Sequence, residues 1–561
     1  MEQAEPGVDR GATIHRWARS PSRAALVEAS LIAAVALTLN LAGNGRFDLF
    51  DRDEPRYAGC MRAMRQSGDY LHPTFNGVPR YHKPILIYWL MLAGTAVGGD
   101  NPFGLRLVSA LSGAATCLLT WAWGRRMLGP GAGRLAALLL ATAPIMVVES
   151  KMATTDALLT LLLTSCQVAL WTLNRGPSKL AAAVFWAALA LSVLTKGPVG
   201  VALVAAAGLV SWAVRGPSTC WYRLHWKWGL PGFAIVTLPW FLAIGIMTRG
   251  EFFRVAVGQQ IVTRVVQALE EHSGFPGYYL VTTLLTFYPW STLLPAAVLG
   301  AWVRRRSTPD LAVLLGWVIG PWILLECVRT KLVHYYLPAY PACALLTAWL
   351  VETLARVGIG LRRWPLGRVG LGTFAALGAG LTLALVHLGL FVLPRPIAGP
   401  CLAVAAVVAV GTSLGFGLFR GGHSSQAAWT LVGTWAVVLL ILGAWLVPAA
   451  DPYRISAALG PRMAALLARE VAEPITADYK EPSLIVSLGR PAAPLLTRTW
   501  LIDQIERHRK VVMALLPGEL AQFRGYPGIE TELSETVRGF NLSKAVSSGC
   551  WRFSAETKSV S

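Results

Sequence analysis

The chain has 561 residues, 54% hydrophobic and only 14% charged, whereas a soluble domain carries about 25% charged residues. Long apolar runs with so little charge exclude a soluble globular enzyme and define an integral membrane protein. The net charge of +20 does not mark a nucleic-acid binder, because the basic residues form short clusters between apolar runs instead of a stripe with aromatics on a soluble domain.

Arg10, Arg16, Arg19 and Arg23 precede the first apolar run. That run is longer than a signal peptide's and lacks a small-residue cleavage site, so a retained first helix is expected. Thirteen stretches read as spans: 24–43, 104–124, 132–149, 155–173, 180–194, 198–214, 229–247, 278–301, 310–328, 333–353, 369–393, 399–419 and 427–449. A further run, 84–98, would cover about 22 Å as a helix, short of a ~30 Å hydrocarbon core. Since 180–194 is as short, loop charge has to decide. With the N-terminus cytoplasmic and 84–98 left out, Arg125–Arg126, Arg304–Arg306, Arg362–Arg363 and the other basic clusters all fall on the cytoplasmic side. Positive-inside bias therefore favours thirteen spans, with 84–98 a short helix along the outer leaflet.

The outer face then holds 44–103, 150–154, 195–197, 248–277, 329–332 and the tail. From about 450 the composition changes, and a small extracytoplasmic α/β domain (450–561) is expected beside the membrane domain (1–449). Residues 455–468 read as an amphipathic helix, Ser483–Leu488 as a strand, Trp500–His508 as a helix and Val511–Leu516 as a strand. No catalytic motif appears there. Among the eight cysteines no pair has zinc-ligand spacing.

The unusual polar residues gather on the outer face. The first external loop opens D-R-D-E-P-R-Y, Asp51 to Tyr57, and continues N-G-V-P-R at 76–80 and Y-H-K-P at 81–84. Read alone, Asp53 caps a helix beginning at Pro55. Asp156 lies in T-T-D-A-L-L-T, Lys196 in T-K-G-P, and R-T-K-L-V-H-Y-Y-L-P-A-Y-P runs from Arg329 to Pro341. A charge at a membrane surface is costly unless paired or used, and these share one face.

In this order the motifs resemble the aminoarabinose transferases that modify lipid A and, more broadly, the bacterial relatives of the protein O-mannosyltransferases. The resemblance covers about 30–350. It implies the GT-C fold: an all-α polytopic membrane protein with juxtamembrane helices in the first external loop, here joined to the C-terminal α/β domain. It also implies a polyprenyl-phosphate sugar donor. Asp53 and Asp156 match the family's key carboxylates, with Glu54 beside them as a third catalytic candidate, and Lys83 matches a lysine near the donor phosphate. Glycosyl transfer needs a carboxylate at the acceptor hydroxyl and fixed cations at the departing phosphate. Arg56, Lys83, Lys331 and Arg329 are candidate cations, and Tyr57, Tyr81, Lys196, His334 and Tyr340 complete the substrate-binding set.

Many relatives place glutamate before Lys-Pro where this chain has His82. With His272 of the next external loop it forms a candidate site for a divalent metal ion; no other cofactor is expected. The expected activity is transfer of a sugar from a polyprenyl-phosphate donor to a lipid-linked, lipid A-like glycan. It would take place at the periplasmic face of a bacterial inner membrane. A protein acceptor is the alternative, and a transporter a more distant one.

Overall fold

The structure is a computed structural model that describes residues 22–256, 258, 274–469, 472–476, 479, 481–494, 511–515, 532–539 and 551–557. The first helix, α1 (Arg23–Leu41), starts where the Ser22 hydroxyl accepts the Ala25 N–H at 3.3 Å. The external loop then forms α2 (Asp53–Ser67), with Asp53 and Glu54 in its first turn and Gly68 ending it at φ 72°. Acidic residues at a helix start and glycine at its left-handed end are what the backbone favours there. A hairpin follows, β1 (Thr74–Phe75) and β2 (Val78–Pro79), turned by Asn76 and Gly77 at φ 53° and 77°. Positive φ at both corner residues is the reason Asn-Gly stands there.

The bundle continues through α3 (Leu86–Gly98), α4 (Pro102–Met127), α5 (Pro130–Ala141) and α6 (Pro144–Ser150). Next come α7 (Asp156–Arg175), α8 (Lys179–Lys196), α9 (Val199–Arg215) and α10 (Trp226–Met247). After residue 274 it resumes with α11 (Tyr278–Thr286), α12 (Leu294–Arg304), α13 (Pro309–Glu326), α14 (Tyr340–Val357), α15 (Pro365–His387), α16 (Arg395–Arg420) and α17 (Ser424–Ile441). Small residues let helices approach closely where lipid offers no hydrophobic drive. Gly316 and Gly320 on α13 show it: a Cβ would stand 1.9 Å from Ser211 Oγ and 2.5 Å from Ala206 O of α9.

Among the described residues, ten helices are long and apolar enough to cross a membrane, and eleven if α5 and α6, bent by 62°, form one span. Thirteen were expected. The difference lies in α9, which has only 17 residues, and in 278–301, which is broken into α11 and α12 by Pro289 and the 3₁₀ turn Trp290–Thr292. The run 84–98 is the short helix α3.

Beyond 450, α18 (Ile455–Arg469) packs on α19 (Pro482–Leu488) and on a five-stranded sheet. Its strands are β3 (Glu473–Thr476), β4 (Ala493–Pro494), β5 (Val511–Leu515), β6 (Glu532–Gly539) and β7 (Trp551–Thr557), ordered β4-β3-β5-β7-β6. Strand β3 runs parallel to β4 and β5, and β7 antiparallel to β5 and β6. Ile455, Leu459, Met463, Leu484 and Val512 form an apolar cluster of their own.

One expectation is corrected: Ser483–Leu488 is helix, not strand. Pro482 sits in its first turn and Gly489 closes it at φ 68°, and a short apolar run does not by itself distinguish the two. Trp500–His508 lies outside the described residues.

Candidate active site

The T-K-G-P motif is the corner of a helical hairpin. Lys196 ends α8, Gly197 turns at φ 71°, and Pro198 precedes α9. The corner brings Lys196 Nζ to 2.5 Å from Asp156 Oδ1, at the first residue of α7, with both side chains 8% exposed. The other carboxylate oxygen, Oδ2, stands 3.9 Å from His334 Nε2. Nδ1 of the same imidazole is 3.6 Å from Glu149 Oε1 at the end of α6. Glu149 also accepts the Thr154 hydroxyl at 3.1 Å. Asp53 lies exposed at the start of α2, within electrostatic reach of Arg80, Glu149 and His334. Lys83 acts in turn on Asp156 and His334. The structure thus gathers Asp53, Lys83, Asp156, Lys196 and His334, five residues separated by up to 281 positions in sequence.

Against this cluster lies a cavity of about 410 Å³. Tyr81, His82, Lys83, Lys196 and Tyr335 supply its polar wall, and Leu159, Leu203, Phe241, Phe252, Phe253 and Leu325 its apolar one. Lys196 Nζ also sits 4.9 Å from the centre of the Tyr335 ring. Tyr81 is fixed by a 2.8 Å hydrogen bond to His72 Nε2 and an edge contact with Phe252. Apolar walls with a few convergent cations suit an amphiphilic anion.

Other candidates are placed elsewhere. Glu54 is fully buried and has no oxygen left for a substrate. Arg106 grips it through Nε and Nη2, both at 2.8 Å, while the N–H groups of Phe50 and Ala153 donate at 2.8 and 2.6 Å. It anchors the loop to α4 and is not positioned for catalysis. Tyr57 is 2% exposed on the buried face of α2, packed on Tyr88 with the Arg80 guanidinium 5.9 Å from its ring. Burial, with Asp53 adding to it, pushes its phenol well above the usual range. Tyr340 is buried in the bundle, bonded to Thr286 Oγ1 at 2.5 Å and packed on Phe287.

Lys331 ion-pairs with Glu326 and donates to Phe275 O at 3.2 Å. It lines, with exposed Arg329, a second cavity of about 430 Å³. Arg56 is half-buried on the first turn of α2. His82 lines the first cavity, and His272 lies outside the described residues. Among the described residues no three His, Cys, Asp or Glu side chains group closely enough to hold a metal ion.

Sequence reasoning missed Glu149 and Arg80. The signal for Glu149 was one acidic residue inside the apolar run 132–149, which marks a functional position by default. Arg80 stood in N-G-V-P-R and was passed over.

The sequence model for the dolichyl-phosphate-mannose-protein mannosyltransferases matches residues 82–244. The undecaprenyl phosphate-alpha-4-amino-4-deoxy-L-arabinose arabinosyl transferase of Pseudomonas aeruginosa (strain LESB58) is 29% identical over 421 residues, 72% of each chain. The enzyme of that name from Erwinia tasmaniensis is 28% identical over 475 residues, covering 83% of this chain and 78% of its own. The crystal structure of ArnT from Cupriavidus metallidurans bound to undecaprenyl phosphate superposes with a TM-score of 0.75. It covers 96% of this chain and 98% of that one at 20% identity, a likeness of fold. Helical architecture and relatives together define a multi-pass membrane glycosyltransferase of the GT-C fold. Within that class the chain is aminoarabinose transferase-like.

Proposed function

We propose that the chain moves a sugar from a polyprenyl-phosphate donor to a lipid A-like, lipid-linked glycan at the periplasmic face of the inner membrane. One observation carries the reading: Lys83 and Lys196 line a largely apolar cavity, Lys196 is paired with the Asp156 carboxylate, and Asp53 lies within electrostatic reach of His334 in the same cluster. The isoprenoid tail lies along the Phe241, Phe252 and Leu325 wall and the phosphate meets the lysines. The relatives' names supply undecaprenyl phosphate as the carrier and 4-amino-4-deoxy-L-arabinose as the sugar. Asp53, Glu149 and Asp156 supply carboxylate groups at the site, which suit an amino sugar.

In the reaction Asp53 takes the proton of the acceptor hydroxyl. The oxygen attacks the anomeric carbon as the bond to the phosphate oxygen breaks, and the carrier leaves as polyprenyl phosphate. Lys83 and Lys196 neutralise the charge that develops on it. Asp156 orients Lys196, and His334 lies between Asp156 and Glu149. One displacement inverts the anomeric centre.

The test is Asp53→Asn, which keeps the shape and cannot take a proton. Transfer is expected to fall at least about 10²-fold, with expression, thermal stability and carrier binding kept, because Asp53 is exposed. Retention of more than about a tenth of the activity would exclude a base role. The match to mannosyltransferases over 82–244 leaves a secreted protein as the second acceptor. Mass profiles of lipid A and of periplasmic proteins, with and without the gene, separate the two.

A further inference from the structure

The C-terminal segment touches the reactive loop at three places. Ahead of α2, the Asp51 carboxylate accepts the Ser483 N–H at 2.8 Å and also the Ser483 hydroxyl. Arg52 faces Glu481 at 3.7 Å, and Arg454 donates to Leu49 O at 2.9 Å with its guanidinium 4.6 Å from the Phe50 ring. Along α2, Gly59 leaves room for the outer layer: a Cβ would meet the Phe75 ring at 2.6 Å and Val486 of α19 at 3.4 Å. Past α2, the hairpin tip Asn76 exchanges two bonds with Ala492, donating from Nδ2 at 2.9 Å and accepting at Oδ1 at 2.8 Å. Residues 44–52 carry no helix or strand, so local structure alone does not fix the entry to α2. Glu54 and Arg106 hold it on the membrane side, and the C-terminal segment holds it on the outer side.

We propose that this segment is a positioning latch for Asp53, with Asp51, Asn76 and Ser483 as its positioning residues. The inference rests on the reading of Asp53 as the group that meets the acceptor. Its consequence is a division of labour. Among the described residues, the donor cavity is lined by 81–84 and by residues of the bundle between 159 and 335, with none from beyond 450. Releasing the latch therefore misplaces the carboxylate and leaves the carrier's site intact. A displacement of about 1 Å in a reacting group can cost as much as 10²-fold.

The experiment uses the full chain in detergent. Asn76→Gly removes both bonds to Ala492 yet keeps the left-handed corner, which glycine adopts more readily than asparagine. Ser483→Ala removes the hydroxyl donor, and Ser483→Thr restores one. Turnover of the Asn76→Gly, Ser483→Ala double variant is expected to fall at least about tenfold. Affinity for undecaprenyl phosphate should stay within about twofold, the split expected when an interaction acts only in the transition state. Threonine at 483 should recover most of the loss. Unchanged turnover, or carrier affinity falling in step with turnover, would overturn the latch. The single Asn76→Gly variant decides in the same way if the double variant does not fold. Asp53→Asn, run alongside, separates the two levels. An active Asp53→Asn enzyme sinks the reading of Asp53, whereas an inactive one with wild-type latch variants sinks the latch alone.

Discussion

Two buried carboxylate–cation pairs stand close together and differ in what is left over after pairing. In Glu54–Arg106 both side chains are 0% exposed, and each carboxylate oxygen takes a guanidinium and a backbone N–H. Arg106 spends its remaining donors on Asn44 O, Phe47 O and Asp48 O at 2.8, 3.1 and 3.0 Å. In Asp156–Lys196 both are 8% exposed and Lys196 lines a cavity, while Oδ2 accepts one hydrogen bond, from the Thr155 hydroxyl at 3.3 Å, and faces an imidazole 3.9 Å away. Charge and depth are similar, but the first pair is saturated and the second keeps unspent capacity. A saturated buried pair fixes a fold, and an unsaturated one beside a cavity is where a substrate's charge finds a partner.

The largest effect expected comes from exchanging the two fates. Glu54→Ala leaves Arg106 buried and unopposed, at a cost of about 3–5 kcal/mol, enough to unfold a large share of a marginally stable protein. Asp156→Asn keeps a hydrogen-bond partner for Lys196, so folding should survive while transfer falls about 10²-fold or more. Thermal unfolding in detergent and single-turnover transfer measure both. An unstable Asp156→Asn protein, or a stable Glu54→Ala one, would break the contrast.

A smaller effect sharpens it among the cations. Lys331 stood in a motif of the outer face as Lys83 did, yet its ammonium is engaged by Glu326 and Phe275 O at the second cavity, while Lys83 lines the first. Lys83→Ala is expected to weaken undecaprenyl phosphate binding about tenfold, the worth of one charge-assisted contact. Lys331→Ala should leave carrier affinity unchanged and lower thermal stability. Equal affinity losses would place Lys331 at the phosphate as well.

These cases also show what the sequence could disclose. Apolar runs and loop charge disclosed the membrane class and nearly every helix, because lipid forces backbone groups to pair within a segment. Motif order singled out Asp53, Lys83, Asp156, Lys196 and His334, which the fold brings together. It did not disclose that Glu54, adjacent to Asp53, turns inward: one residue along a helix rotates a side chain by about 100°, and only the distant Arg106 shows which way. Tyr57 and Tyr340 likewise turn inward, which motif order does not show. A motif preserves residues that build the site's frame along with those that line it. Glu149 stayed hidden because its partners His334 and Thr154 come from separate elements.

The smallest effect concerns a third buried cation, which tests whether saturation without a carboxylate is enough. Lys151, between α6 and α7, is 9% exposed. Its ammonium donates to Ala42 O at 2.6 Å, Asn44 Oδ1 at 3.2 Å and Asn40 O at 3.4 Å, all neutral acceptors. Burial first, and the Arg106 charge second, bring its pKa down to about 8 from 10.5. Between those two values the unfolded chain holds a proton that the folded chain has released, so folding stability rises with pH across that window. Below it both states are charged, and the folded state bears the full cost of the buried ammonium. Lys151→Met keeps the length of the side chain and removes the titration. The thermal midpoint of the wild type, taken relative to the variant, should climb from about pH 7.5 to about pH 9.5. A difference that stays flat would mean that three neutral acceptors keep this lysine charged as well as a carboxylate would, and unspent pairing capacity would then have to be judged by hydrogen bonds alone, without regard to charge.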